Sequence, residues 1–298
     1  MTTPESAIPA CLGPQPQLEA LTWQLPKGSW DTHFHVFGPT SRFPYVEKRK
    51  YTPPDSTYED YCALMQRTGI ERAVCVHPNV HGPDNSVTLD SIRRSEGRII
   101  GIIKLDADPG LDRLRQLDAG GIRGVRFAFH PQHGGEFDDA LFQRVADYAD
   151  VLGWCIDIHA SPEDLLRLSP RLLDVPVPVI IDHMGRIDPS AGLAQEPFKG
   201  LLELAAAPNI WIKLTGADRL TRQGAPYDDV LPFARALVKA APDRVLWGTD
   251  WPHSGYFDPA KMPNDGALVN FLGRVAPDEA ARRAILVDNP NRLFAGKE

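Results

Sequence analysis

The chain lacks the features that would place it in a membrane, on a nucleic acid or in an oxidising compartment. No uninterrupted apolar run approaches the ~18 residues that a membrane span needs. No Lys/Arg-rich block occurs, and 39 acids against 32 bases leave a formal net charge of -7. That balance excludes a nucleic-acid surface and leaves only a local basic pocket open. There are only four cysteines, Cys11, Cys62, Cys75 and Cys155, and no C-x-x-C pair. The last two sit in apolar, strand-like runs, where a buried thiol is the ordinary role. Reduced cysteines and a cytoplasmic protein are expected. The opening MTTPESAIPACLGPQPQ has no basic segment followed by an apolar one, so it does not read as a signal peptide. Its prolines read as an extended arm over residues 1–28.

What remains is ordinary globular material: 298 residues, 43% hydrophobic and 24% charged. From Trp30 onward, short apolar runs alternate with helix-like segments. The strand candidates are Trp30–Phe37, Arg72–His77, Ile99–Leu105, Ile122–Phe129, Trp154–His159, Val177–His183, Ile210–Leu214 and Arg244–Asp250. They are rich in Val and Ile and alternate little, as parallel strands buried on both faces do. Helical spacing appears over Tyr58–Thr68, Asp138–Leu152, Asp229–Ala240 and Asp278–Leu286, and Ser161 looks like the start of another helix. Eight alternations predict one α/β domain over residues 29–298, a single (β/α)8 TIM-type barrel. An open doubly wound sheet is the alternative. It would carry a Gly-rich phosphate turn after the first strand, where DTHFHVFGP stands instead.

The histidines carry the functional signal. All nine, at 33, 35, 77, 81, 130, 133, 159, 183 and 253, fall in or just after the C-terminal end of a predicted strand. That is the face where barrel active sites sit. A lone histidine is more often a hydrogen-bonded packing residue, but nine at one face reverse that weighting. His33 and His35 form H-x-H, and alternate strand residues point the same way. His159 ends the fifth strand, His183 the sixth and Asp250 the eighth. Imidazoles and a carboxylate around one centre suit Zn²⁺ or another borderline divalent ion. Asp157 reads as a buried acceptor beneath His159. Asp182 reads as facing away from the site, since it precedes His183 on the strand. Trp251 and Pro252 read as shaping the mouth.

The segments DTHFHVFGP, IIDHMGR, LTGADRL and VLWGTDWPH resemble the amidohydrolase superfamily, in its branch of lactonases acting on pyrone dicarboxylate and sulfomuconolactone. HGPDN, GGIRGVRFAF and DNPNRL extend the resemblance from about Trp30 to Leu293. The resemblance implies hydrolytic attack on a lactone carbonyl. Asp250 would then take a proton from water, while His33, His35 and His183 polarise the carbonyl or hold a metal. The pyrone lactonases work without a metal and carry Tyr where His159 stands here, which points to a bound ion in this chain. His33, His35, His159, His183 and Asp250 are its expected ligands. Arg126 stands at the fourth strand, where binuclear relatives place a Lys or Glu bridge, so one Zn²⁺ or Mn²⁺ is expected rather than two. The family's second carboxylate-binding Arg, six residues beyond Arg126, is Gln132 here.

Arg126, Arg186 and Arg219 are the natural anion binders, with Asn79, His81 and His253 as further substrate contacts. Arg123 is expected to pair on the surface. The expected partner is a small anionic lactone, and a homo-oligomer stays open. The competing readings are a metal-independent lactonase, a decarboxylase on a related barrel, and a binding protein that has kept the pocket.

Overall fold

The computed structural model describes residues 8–129 and 137–295. Eight strands lie side by side in chain order: β1 Trp30–Phe34, β2 Arg72–Val76, β3 Ile99–Lys104, β4 Ile122–Ala128, β5 Cys155–His159, β6 Val179–Ile181, β7 Ile210–Leu214 and β8 Val245–Trp247. Each hydrogen-bonded neighbour pair is parallel. Parallel neighbours cannot be joined by a tight turn, so a helix crosses back between one strand and the next. The result is a (β/α)8 barrel. Strand order never reverses, which excludes the doubly wound alternative.

The seam between β1 and β8 closes through residues just beyond β8. The Asp250 backbone N–H donates to His33 O, and the His35 N–H donates to Trp251 O, both at 2.8 Å. Beneath them, the buried Asp31 carboxylate accepts from the His33 and Thr249 amides, Thr249 Oγ1 and Tyr61 Oη, at 2.6 to 3.0 Å. Gly248 makes this approach possible, because a Cβ there would lie 2.6 Å from His33 N.

Helix starts follow their caps. Ser161 Oγ accepts from the Asp164 amide, and Asp138 accepts from the Leu141 amide, so their helices begin at Pro162 and Asp139. The helix expected from Asp229 starts at Leu231, because the Asp229 carboxylate is bound to Thr221 Oγ1 and the Arg222 amide. The helix expected over Asp278–Leu286 is regular only over Glu279–Arg283, then widens through Asp288. Strands β1, β6 and β8 stop short of the predicted Phe37, His183 and Asp250. The ends of β6 and β8 leave the ladder in left-handed conformations, with φ of 49° at His183 and 63° at Asp250.

Two apolar regions hold the fold. The larger lies between sheet and helices. The smaller, with Trp30, Val76, Ile102, Ile180, Trp211 and Leu246, fills the barrel interior. Residues 8–28 form an extended arm. Ala10 bridges Thr52, and the Leu12 N–H donates to Tyr256 O at 2.8 Å. Farther along, the Glu19 and Thr22 amides donate to the side chains of Asn264 and Asn270, at the start of and within the helix Asp265–Val275.

Candidate active site

Strand periodicity stacks a charged layer directly on the apolar interior. Side chains two apart share a face, so Ile102 is followed inward by Lys104, Ile180 by Asp182 and Trp211 by Lys213. Lys104, Arg126 and Asp157 are register partners on β3, β4 and β5. Lys213 Nζ lies 2.6 Å from Asp157, 2.9 Å from Asp182 and 3.1 Å from His33 Nδ1. Arg126 donates to Asp182 at 2.7 Å and approaches Asp157 at 3.4 Å. All four groups are buried. Charges this deep are tolerable only because they pair. Burial opposes the Lys213 charge, but the two carboxylates outweigh it and raise its pKa. Burial also works against Asp182, yet Lys213, His33 and Arg126 hold it well below the usual carboxylate range. Burial and the neighbouring Asp182 charge push Asp157 up.

This corrects the expectation for Asp182. It follows Ile180 on the inward face, and His183 joins it only because its left-handed backbone breaks the alternation. Lys213 was missed by sequence reasoning. Its signal was a lone lysine in the apolar strand IWIKL, where a charge needs buried partners.

Above this layer, His33, His35, His183 and Asp250 converge. Asp250 Oδ1 is 3.2 Å from His35 Nε2 and 3.5 Å from His33 Nε2, and Oδ2 accepts from Arg219 Nε at 2.5 Å. Burial opposes its ionisation, but the Arg219 guanidinium, foremost among its neighbours, holds its carboxyl well below the ordinary range. Burial holds His33 neutral, down to about 3, with Lys213 adding to the effect against Asp182. Burial likewise lowers His183, whose Nδ1 lies 2.8 Å from Thr215 Oγ1. Gly216 lets this ring in, since a Cβ there would stand 3.1 Å from His183 Nδ1.

The donor set fits a divalent ion. His35 Nδ1 lies 2.7 Å from Val76 O, which only accepts, so Nδ1 carries the hydrogen. Nε2 then faces an Asp250 oxygen with its lone pair, an arrangement that needs a cation or a proton between them. His33 Nε2, buried with no hydrogen-bond partner among the described residues, opens on the same oxygen. Two groups have ligand atoms close enough to share an ion: His33, His35 and Asp250, and His33, Asp182 and His183. His159 belongs to neither. Its Nε2 accepts from Arg186 at 3.3 Å, and a guanidinium can only donate.

A cavity of about 890 Å³ opens over these groups, lined by His35, His159, His183, Asp250, Arg126, Arg186 and Arg219 among others. Asn79 also lines it, with Tyr51 and Lys104, which sequence reasoning had passed over. Two expected substrate contacts stand outside the lining. His253 is fully buried, with Nε2 3.0 Å from Asp265. His81 is buried against Tyr45, with Nδ1 3.2 Å from Pro44 O. His77 is also a packing residue, held between Thr88 Oγ1 and Gly82 O. Trp251 and Pro252 are buried beside the seam. Arg123 pairs outward with Asp118. His130, Gln132 and His133 lie outside the described residues.

An H-x-H strand, a histidine after the sixth strand and an aspartate after the eighth, gathered at the C-terminal mouth of a barrel, define a (β/α)8-barrel hydrolase. The chain belongs to the amidohydrolase family, whose model, described as Amidohydrolase, matches residues 30–296. It is 57% identical to a 4-sulfomuconolactone hydrolase of Rhizobium radiobacter, over 97% of each chain. It is 37% identical to a 2-pyrone-4,6-dicarboxylate hydrolase of Comamonas testosteroni, over 93% of each. Among solved structures, a probable 2-pyrone-4,6-dicarboxylic acid hydrolase from Acinetobacter baumannii, with citric acid bound, superposes with a TM-score of 0.80 at 25% identity. That match covers 90% of this chain and 99% of the other.

Proposed function

We propose that this lactone hydrolase opens an acidic lactone bearing a carboxylate or sulfonate, such as 4-sulfomuconolactone, with Asp250 as general base and one divalent ion, Zn²⁺ or Mn²⁺, at the site. The observation that carries this reading is an ionised Asp250 at the floor of a cavity whose other charged lining groups, among the described residues, are cations. The 57% identity over nearly the whole of both chains supports the substrate class.

His33, His35 and Asp250 would hold the ion, with Asp182 and His183 as neighbouring donors. Such an ion, when bound, supplies Lewis-acid polarisation and a more acidic water. The chain's own residues do the rest. Arg219 fixes the Asp250 carboxylate through Oδ2 and turns Oδ1 towards the two histidines, and the carboxylate held in this way takes the water proton. His183, oriented by Thr215, faces the cavity as a partner for the carbonyl oxygen. Arg186 supplies positive potential for the substrate anion, and Arg126 lines the same cavity.

One observation favours the metal-independent alternative. Lys213 stands as near to His33 Nδ1 as Asp182 does, at 3.1 against 3.2 Å. If the ammonium donates there, Nε2 carries the ring hydrogen and cannot ligate. The test is ring opening of 4-sulfomuconolactone and of a neutral lactone, followed before and after chelation. Turnover of neither lactone sinks the reading, and undiminished turnover by metal-free protein selects the alternative.

A further inference from the structure

The four inner cations of the cavity are not equivalent. Arg126 is neutralised from below by Asp182 and Asp157, and Arg219 by Asp250. Among the described residues, Lys104 and Arg186 have no carboxylate ion-pair partner. Lys104 Nζ bonds to the Asn79 amide oxygen at 3.2 Å, and Arg186 bonds to the His159 ring at 3.3 Å. Both line the cavity. They reach it from different sides, Lys104 from the end of β3 and Arg186 from just after β6, three strands farther round the ring.

A partly desolvated cation without a counter-ion is an unfavourable arrangement that an arriving anion relieves. Lys104 is half-buried, and it extends the inward row Ile100, Ile102, so its stem is directed into the mouth. An ammonium has three donors, and the Asn79 bond uses one. We propose that Lys104 and Arg186 are the two anchors of a dianionic substrate, one for each charged group, and that Lys104 selects a dianion over a monoanion. This deepens the acidic-lactone reading and rests on it for the identity of the substrate, but the charge selection is testable without turnover. The lowered pKa of Lys104, from burial and then from Arg126, fits a cation still lacking compensation. An ammonium imposes no planar geometry, so a sulfonate and a carboxylate suit it equally.

The probes are 4-sulfobenzoate, which carries two anionic groups, and benzoate, which carries one, with binding measured by calorimetry on the metal-loaded and metal-free protein. The wild-type chain should bind the dianion at least ~10-fold tighter, the scale of one charge-assisted hydrogen bond in a desolvated site. Lys104→Met should bring the two affinities within about 2-fold, and Lys104→Arg should keep most of the preference. Lys104→Gln replaces Lys104→Met if that variant melts below the wild type. A wild-type protein without the preference overturns the proposal, as does a charge-neutral variant that keeps it. Should the preference hold while no lactone is turned over, the anchors stand and the lactonase reading falls.

Discussion

Lys213→Met removes the one ammonium shared by two buried carboxylates. Lys213 Nζ lies 2.6 Å from Asp157 and 2.9 Å from Asp182, and among the described residues only the Arg126 cation is left to face both acids. Breaking a buried pair from one side costs about 3–5 kcal/mol, because the remaining charge stays desolvated. With an unfolding entropy of about 2.1 cal/mol/K per residue, that loss lowers Tm by roughly 5–8 °C for a chain of this length. The defect should depend on pH. Asp157 is already pushed up by burial and by Asp182, and losing Lys213 raises it further. A carboxyl raised in the folded state is destabilising when ionised, so the penalty is absent below the unfolded value and grows as pH rises through the folded one. Calorimetric melts should therefore show a larger drop near pH 8 than near pH 5.5. Adding Asp157→Asn should recover part of it, because one of the two facing charges is then gone. A variant that melts within about 2 °C of wild type near pH 8, or that loses more in acid, refutes the reasoning.

Asp250→Asn should lower kcat by at least ~10²-fold with a modest change in KM, since the amide cannot take the water proton; unimpaired turnover removes Asp250 from the chemistry. Purified protein should carry about one Zn²⁺ or Mn²⁺ per chain by elemental analysis, and His35→Ala should lose it, whereas His159→Ala should keep it because Arg186 occupies that ring nitrogen. Burial pushes the Cys75 and Cys155 thiols up to about 12, so native protein should expose at most two thiols to a disulfide reagent, against four in denaturant.

The barrel was legible because its parallel strands are nearly unbroken apolar runs, and each of the eight predicted runs contains an observed strand. The ends were less so. In a run such as Val177–His183 the strand ends at Ile181 and the backbone turns left-handed at His183, a turn that strand periodicity does not mark. The same limit explains Asp182 and His183: strict alternation allows only one of them inside, and the φ of 49° at His183 brings in both. His33, His35, His183 and Asp250 were readable because chemistry-bearing residues at several strand ends converge by construction. His77, His81 and His253 share that placement, yet their rings meet backbone carbonyls, Thr88 or Asp265 rather than the cavity. Position along a strand does not settle which way a loop residue faces once the ladder ends. Lys213 was concealed for the opposite reason: it sits mid-strand, where the pattern was read for apolar content.

The arm has a consequence for how the mouth can change. Around Ala10 to Leu12 it is bonded to Thr52 on one rim loop and to Tyr256 on another. The cavity-lining Tyr51 and Gly255 are the immediate neighbours of those two residues. A substitution around Ala10 to Leu12 therefore shifts two sides of the entrance together. Ligand range can drift through changes in a segment that tolerates them cheaply, while the densely paired layer beneath stays fixed; a library aimed at new substrates has reason to begin there.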